Sequence, residues 1–183
     1  MTSDELYEAL DRVHATDFSG RVYRHLTPGR DCSSGEGARA AGGRWNPPQS
    51  YPTLYTSLTQ HGAYSELALR AKIQKVPVEA LLPRVLCVLK VELIRVLDIT
   101  SPDALTKVGL STESIGDPNR ASCQAVGEAA YRLGFEGILA PSAASDGINL
   151  AIYPLNLASP LSSIAQAGAI SWATIKDLRG NLP

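Results

Sequence analysis

Between Arg84 and Ile99 the chain reads Arg-Val-Leu-Cys-Val-Leu-Lys-Val-Glu-Leu-Ile-Arg-Val-Leu-Asp-Ile. A run this rich in β-branched and leucine side chains, broken only by single charges, suits strands with a buried face. It predicts two central strands, 85–93 and 95–99, and so commits the chain to a sheet. Gly20–Leu26 alternates as a further strand and is stopped by Pro28-Gly29. Residues 53–56, 137–140, 149–153 and 170–175 complete the expected strands.

Helices are expected between them. Residues 3–14 carry Ser3 as N-cap, acids in the first turn, and Leu6, Leu10 and Val13 at helical spacing. Ser57-Leu58-Thr59-Gln60 has the form of a capping box, which predicts a helix from Ser57 to about Gln74 with Tyr64, Leu67, Ala68 and Ala71 inward. A third helix, Ser122 to Leu133, should end at Gly134. The expected architecture is α+β: one domain over residues 1–183, with a mixed β-sheet core and flanking helices.

Composition mainly excludes. Hydrophobic residues make up 44% and charged residues 19% of 183 residues, which argues for a packed globule and against disorder. A formal charge of −1 lacks the basic footprint of a nucleic-acid binder. Cys32, Cys87 and Cys123 are sparse and form no CxxC pair, and His14, His25 and His61 lack ligand spacing. The expectation is no disulfide framework and no metal site. No apolar run is long enough to span a membrane, and the polar Thr2-Ser3-Asp4-Glu5 start is unlike a signal peptide. A reducing cytoplasm is the expected compartment.

Residues 28–53 are rich in glycine and proline and poor in aliphatics, the mark of a long loop with a function. Within them lies Gly42-Gly43-Arg44-Trp45-Asn46. Glycines allow close backbone approach to a ligand, and arginine can fork onto a phosphate. Arg24, on the preceding strand, is a second candidate phosphate ligand; its alternative is a surface ion pair. Trp45 could stack on a ligand or plug the core. Glu66 sits mid-helix, where it could pair with Arg70 at i,i+4 or stand at a cleft beside Tyr55 and stabilise an electron-poor sugar carbon. Ser142, in a turn after Pro141, lacks a nucleophile elbow and suits a ligand hydrogen bond or a turn cap. Asn149 could start a strand or touch a ligand.

Taken together, Tyr23-Arg24, Gly42-Gly43-Arg44-Trp45-Asn46, Tyr55, Glu66, the Ser122-x-Gln124 to Gly127 stretch, Pro141-Ser142-Ala143 and Asn149 resemble the RES-domain family. The resemblance covers about residues 20–178. It implies a fold like that of ADP-ribosyltransferase toxins and membership of a bacterial toxin–antitoxin pair. The implied activity is cleavage of the nicotinamide–ribose bond of NAD by hydrolysis or phosphorolysis, with NAD as substrate and no cofactor or metal. Carried over, Arg24, Glu66 and Ser142 are catalytic, while Arg24, Arg44, Tyr55, Ser142 and Asn149 bind NAD. The implied partner is an antitoxin with a helix-turn-helix (Xre-like) part. Transfer of ADP-ribose to a protein, or binding without catalysis, are the alternatives.

Overall fold

The fold was analysed in a computed structural model that describes residues 1–159, 163–174 and 177. Its centre is one strand, β3 (Arg84–Asp98), fifteen residues long. The other strands are β1 (Thr16–Leu26), β2 (Leu54–Ser57), β4 (Gly137–Pro141), β5 (Ile148–Ile152) and β6 (Ile164–Trp172). The helices are α1 (Ser3–Asp11), α2 (Glu36–Ala41), α3 (Gln60–Gln74), α4 (Pro102–Lys107), α5 (Thr112–Gly116) and α6 (Ala121–Arg132). The expected α+β architecture with a mixed sheet is what forms.

The expected break within residues 84–99 is a bulge, not a strand end. Between Thr16↔Val96 and Phe18↔Leu93 the register slips, leaving one extra residue on β3. The buried Glu136 carboxylate accepts the amides freed there, from Ile94 at 2.6 Å and Arg95 at 3.2 Å. Its other oxygen accepts Ala158 N–H at 2.7 Å. A strand that would otherwise fray at the bulge therefore continues.

Strand order is β1-β2-β5-β4-β3-β6, with β1 also paired to β3. Five strands thus close into a ring, and β6 runs along β3 outside it. Val22, Leu54, Leu89, Val91, Leu150 and Ile152, from four of those strands, pack into one apolar cluster. A second cluster gathers α1 and α6 with Leu97, Ile138 and Ala151. In a third, α3 lays Ala63 and Leu67 against Leu86 and Trp172. The ring is weakest between β1 and β2, which meet only at Tyr23↔Ser57 among the described residues.

Several boundaries differ from the sequence reading for local reasons. Thr2, not Ser3, caps α1, reciprocally with Glu5. Ser57 finishes β2, and Thr59 caps α3 through an Oγ1 bond from Gly62 N–H. Leu67 and Ala71 face inward as expected, together with Gly62 and Ala63, while Tyr64 and Ala68 stay half-buried. Loop 28–53 contains a short helix, α2. The last strand begins earlier than expected, at Ile164, and ends at Trp172; Ile175 lies outside the described residues.

The cysteine reading is corrected. Cys32 and Cys87 are disulfide-bonded across 55 residues with Cα atoms 5.9 Å apart, while Cys123 is free and buried. Distance in sequence concealed this pair, because only the ring brings loop 27–35 over β3. Constraining a loop of that size stabilises a fold by about 4 kcal/mol in the chain-entropy treatment. Urea denaturation of the oxidised chain and of the same chain in dithiothreitol should differ by that order. Equal midpoints would show that the bond holds nothing the fold does not already hold.

Candidate active site

Where β1 and β2 part, two side chains, from the turn after β4 and from β5, converge on one carboxylate oxygen. Glu66 Oε1, from α3, accepts Ser142 Oγ at 2.9 Å and Asn149 Nδ2 at 2.6 Å. Ser57 Oγ donates to Asn149 Oδ1 at 2.8 Å and turns that amide toward Glu66. Ser142 Oγ also accepts Ala144 N–H at 3.0 Å, so the turn after β4 is fixed by the same hydroxyl. No hydrogen bond reaches Glu66 Oε2 and no cation pairs with the carboxylate among the described residues. The Glu66–Arg70 pair, one of the two readings of this helix, does not form.

Strand geometry explains the convergence. Ser57 lies opposite Asn149 in the β2–β5 ladder and Asn149 opposite Ala140 in the β4–β5 ladder. Cross-strand partners share a face, so Ser57 and Asn149 stand side by side toward α3. Ser57 was missed in the sequence because the serine and the later glutamine suggested a cap. The signal was Tyr55-x-Ser57, a period-two step along one strand face.

The loop bearing Gly42 to Asn46 is locked into the body. Tyr55 Oη accepts Trp45 N–H at 2.8 Å and donates to Asn46 Oδ1 at 2.8 Å. Burial pushes that phenol well above its ordinary range. The Trp45 carbonyl accepts both Tyr51 and Tyr153 hydroxyls, at 3.0 and 3.3 Å. Gln124 Nε2, from α6, donates to the Gly43 carbonyl at 2.9 Å. A side chain at Gly43 would strike the Tyr55 ring, and one at Gly127 would strike the Trp45 backbone, so both positions require glycine. Trp45 itself is 3% exposed and plugs the core.

The two arginines sit differently from the carboxylate cluster. Arg24 alternates with Val22 and Leu26, on the strand face opposite Tyr23. Its Nη1 donates to the Cys32 and Ser34 carbonyls at 3.1 and 2.9 Å. Burial lowers it to about 10, with Asp31 opposing, and it stays cationic at neutral pH. Arg44 Nη1 donates to the Ser114 and Asp117 carbonyls at 3.3 and 3.2 Å. Hydrogen bonds thus join Glu66, Ser142 and Asn149 directly, whereas Arg24, Arg44 and Tyr55 brace the loops around them.

His25 went unused in the sequence reading. Its Nδ1 is buried without a hydrogen-bond partner. Burial first, and then the charges of Arg84, Arg70 and Arg24, lower its pKa to about 3. Arg24 adjoins it in sequence, but the burial and the larger charge effects come from other elements, which bring Arg84 and Arg70.

Residues 10–174 match the RES domain family. The protein named NAD(+) phosphorylase MbcT from Mycobacterium bovis is 32% identical over 176 residues, 95% of each chain. The Mycobacterium tuberculosis protein of that name has the same identity and coverage. A chain in the crystal structure of the M. tuberculosis MbcT-MbcA toxin-antitoxin complex matches with a TM-score of 0.89 at 29% identity, over 96% of both chains.

Two stability measurements check this geometry. Tyr55→Phe strands a buried amide and the Asn46 carbonyl oxygen, and should cost about 1–3 kcal/mol in chemical denaturation; a neutral effect would mean the loop is held otherwise. His25 is neutral when folded but takes up a proton near 6.5 when unfolded, so acid favours unfolding. Stability should be complete above about pH 6.5 and fall as pH drops toward about 3. At pH 5 the loss from this group is up to about 2 kcal/mol. His25→Gln should flatten the slope between pH 7 and pH 5, and an unchanged slope would clear His25 of this role.

Proposed function

The chain belongs to the RES domain family, and from that premise we propose that it is a toxin that cleaves the nicotinamide–ribose bond of NAD, with Glu66 as the catalytic carboxylate. The observation that carries the assignment is the asymmetric hold on Glu66. Two neutral donors fix Oε1, and Oε2 is left for substrate. Neutral donors orient a carboxylate without cancelling its charge, which is what an electron-poor sugar carbon requires.

In this reading the C1′–N1 bond breaks and nicotinamide leaves as a neutral molecule with the bonding pair. The positive charge passes to C1′ and the ring oxygen, where Glu66 stabilises it. An acceptor oxygen then bonds C1′ and releases its proton. The name of the relatives, NAD(+) phosphorylase, favours inorganic phosphate as acceptor, giving ADP-ribose 1″-phosphate. Ser142 and Asn149 position Glu66 and, with Tyr55, border the substrate. Arg24 and Arg44 hold phosphate oxygens with the guanidinium nitrogens not spent on carbonyls.

Placement of the reaction follows from its substrate: the cytoplasm, where NAD is held. No helix among the described residues is long and apolar enough to cross a membrane. The complex described for the solved relative supports a cognate antitoxin as partner, with the helix-turn-helix part that the resemblance implies. Residues 1–183 act as one RES-like unit.

Glu66→Gln keeps an acceptor for Ser142 and removes the charge. Nicotinamide release should fall by roughly 10²–10³-fold, the scale of losing one electrostatic stabiliser, with an unchanged melting temperature. Chromatography of NAD with and without phosphate measures this and separates ADP-ribose from its 1″-phosphate. Near-normal turnover by the variant would remove Glu66 from catalysis.

A further inference from the structure

His25, Arg84 and Arg70 are brought together by three different elements. His25 lies opposite Leu86 in the β1–β3 ladder, and Arg84 is two residues from Leu86 on the same face. Arg84 Nη1 donates to Thr27 Oγ1 at 2.8 Å and its Nε to the Leu81 carbonyl at 2.8 Å, which holds the guanidinium beside His25. That face is the one α3 covers, since Leu67 packs with Leu86 and half-buried Tyr23. Arg70 precedes buried Ala71 on α3 and stands one helical turn beyond Glu66, on the same stripe. Burial first, and then the charges of Arg84, Arg70 and Arg24, lower His25; burial first, and then Arg70, lowers Arg84.

Neither arginine forms an ion pair with a carboxylate among the described residues. Beside them, half-buried His25 has a buried Nδ1 without a hydrogen-bond partner. Clustered cations cost free energy through repulsion, and a buried polar nitrogen adds to that cost. A tetrahedral oxyanion answers both at once, accepting from forked guanidinium groups and from an imidazole N–H.

We propose that Arg70, Arg84 and His25 form a binding site for a phosphoryl oxyanion, one helical turn from Glu66. The site stands on its own geometry; only the source of the oxyanion rests on the NAD-cleaving reading. It is either free inorganic phosphate, the acceptor, or a phosphate of the dinucleotide. Both share the chemistry that the cluster recognises.

The test uses the full chain carrying Glu66→Gln, titrated by calorimetry with inorganic phosphate and, separately, with ADP-ribose. Adding Arg70→Ala should weaken one of the two by about tenfold or more, the scale of one charge-assisted hydrogen bond. Loss confined to phosphate assigns the acceptor; loss confined to ADP-ribose assigns the dinucleotide. Arg70→Lys should recover part of the affinity, and Lys72→Ala, a cation two positions along α3, should change neither. His25 ring resonances should move during the same titration. No Arg70-dependent binding of either probe, an equal loss from Lys72→Ala, or motionless His25 resonances would overturn the proposal. NAD turnover by the unmodified chain is scored separately: Arg70-dependent binding without turnover would sink the NAD reading and leave this site standing. Turnover without such binding would do the reverse.

Discussion

Pairing of β3 along both of its edges is the constraint from which the remaining geometry follows. One edge carries β1, and the other carries β6 and, past the bulge, β4. A strand obliged to serve both sides must be long and apolar, and at the bulge it needs an acceptor for amides that have lost their ladder partners. Glu136 supplies that acceptor from the first turn of chain before β4. Because β3 reaches β4, β4 and β5 can return toward β2, and the ring closes with its weakest seam at Tyr23↔Ser57. The carboxylate cluster sits at that seam. Side chains from several elements are thereby held together by a body that need not move to assemble them.

How far the sequence disclosed this can be judged residue by residue. Elements whose pattern is local were legible: α6 and its stop at Gly134, where φ is +78°, and the β4 and β5 strands around the 141–147 turn. Residues whose meaning is set by a partner far along the chain were ambiguous. Ser57 met the local rule for a cap, yet its partner is Asn149, 92 residues on. Cys32 and Cys87 looked solitary for the same reason. Trp45 could have been a stacking surface or a core plug, and only its 3% exposure separates the two. For His25 only Arg24 is a sequence neighbour, and the rest of its environment is made by Arg84 and Arg70.

The arginines share a habit that bears on the chemistry. Arg24, Arg44, Arg84 and Arg95 each donate to backbone carbonyls. Carbonyl acceptors fix a guanidinium in place but carry no net charge, so its field persists. The ion pairs among the described residues, Arg12–Glu8, Arg39–Glu36, Lys90–Glu92 and Arg132–Glu128, all join exposed side chains. Surface pairs of that kind contribute little. The chain has a formal charge of only −1, so guanidinium groups held by carbonyls instead of carboxylates reflect arrangement and not composition.

Glu66 is the counterpart of that arrangement. It stands in the same region with neutral donors on Oε1 and no cation paired with it among the described residues. An arginine bound to Glu66 would have improved local stability and quenched the negative potential that its proposed role at a developing oxocarbenium ion requires. A carboxylate bound to Arg70 or Arg84 would likewise have quenched the attraction for the proposed oxyanion. The preferred i,i+4 partners Glu66 and Arg70 are spaced to neutralise each other, and in this fold they do not, because Ser142 and Asn149 draw the carboxylate toward β4 and β5. A substrate that bears negative phosphates at one end and gains positive charge at a sugar carbon at the other matches that separation, and a molecule with a single sign of charge would not.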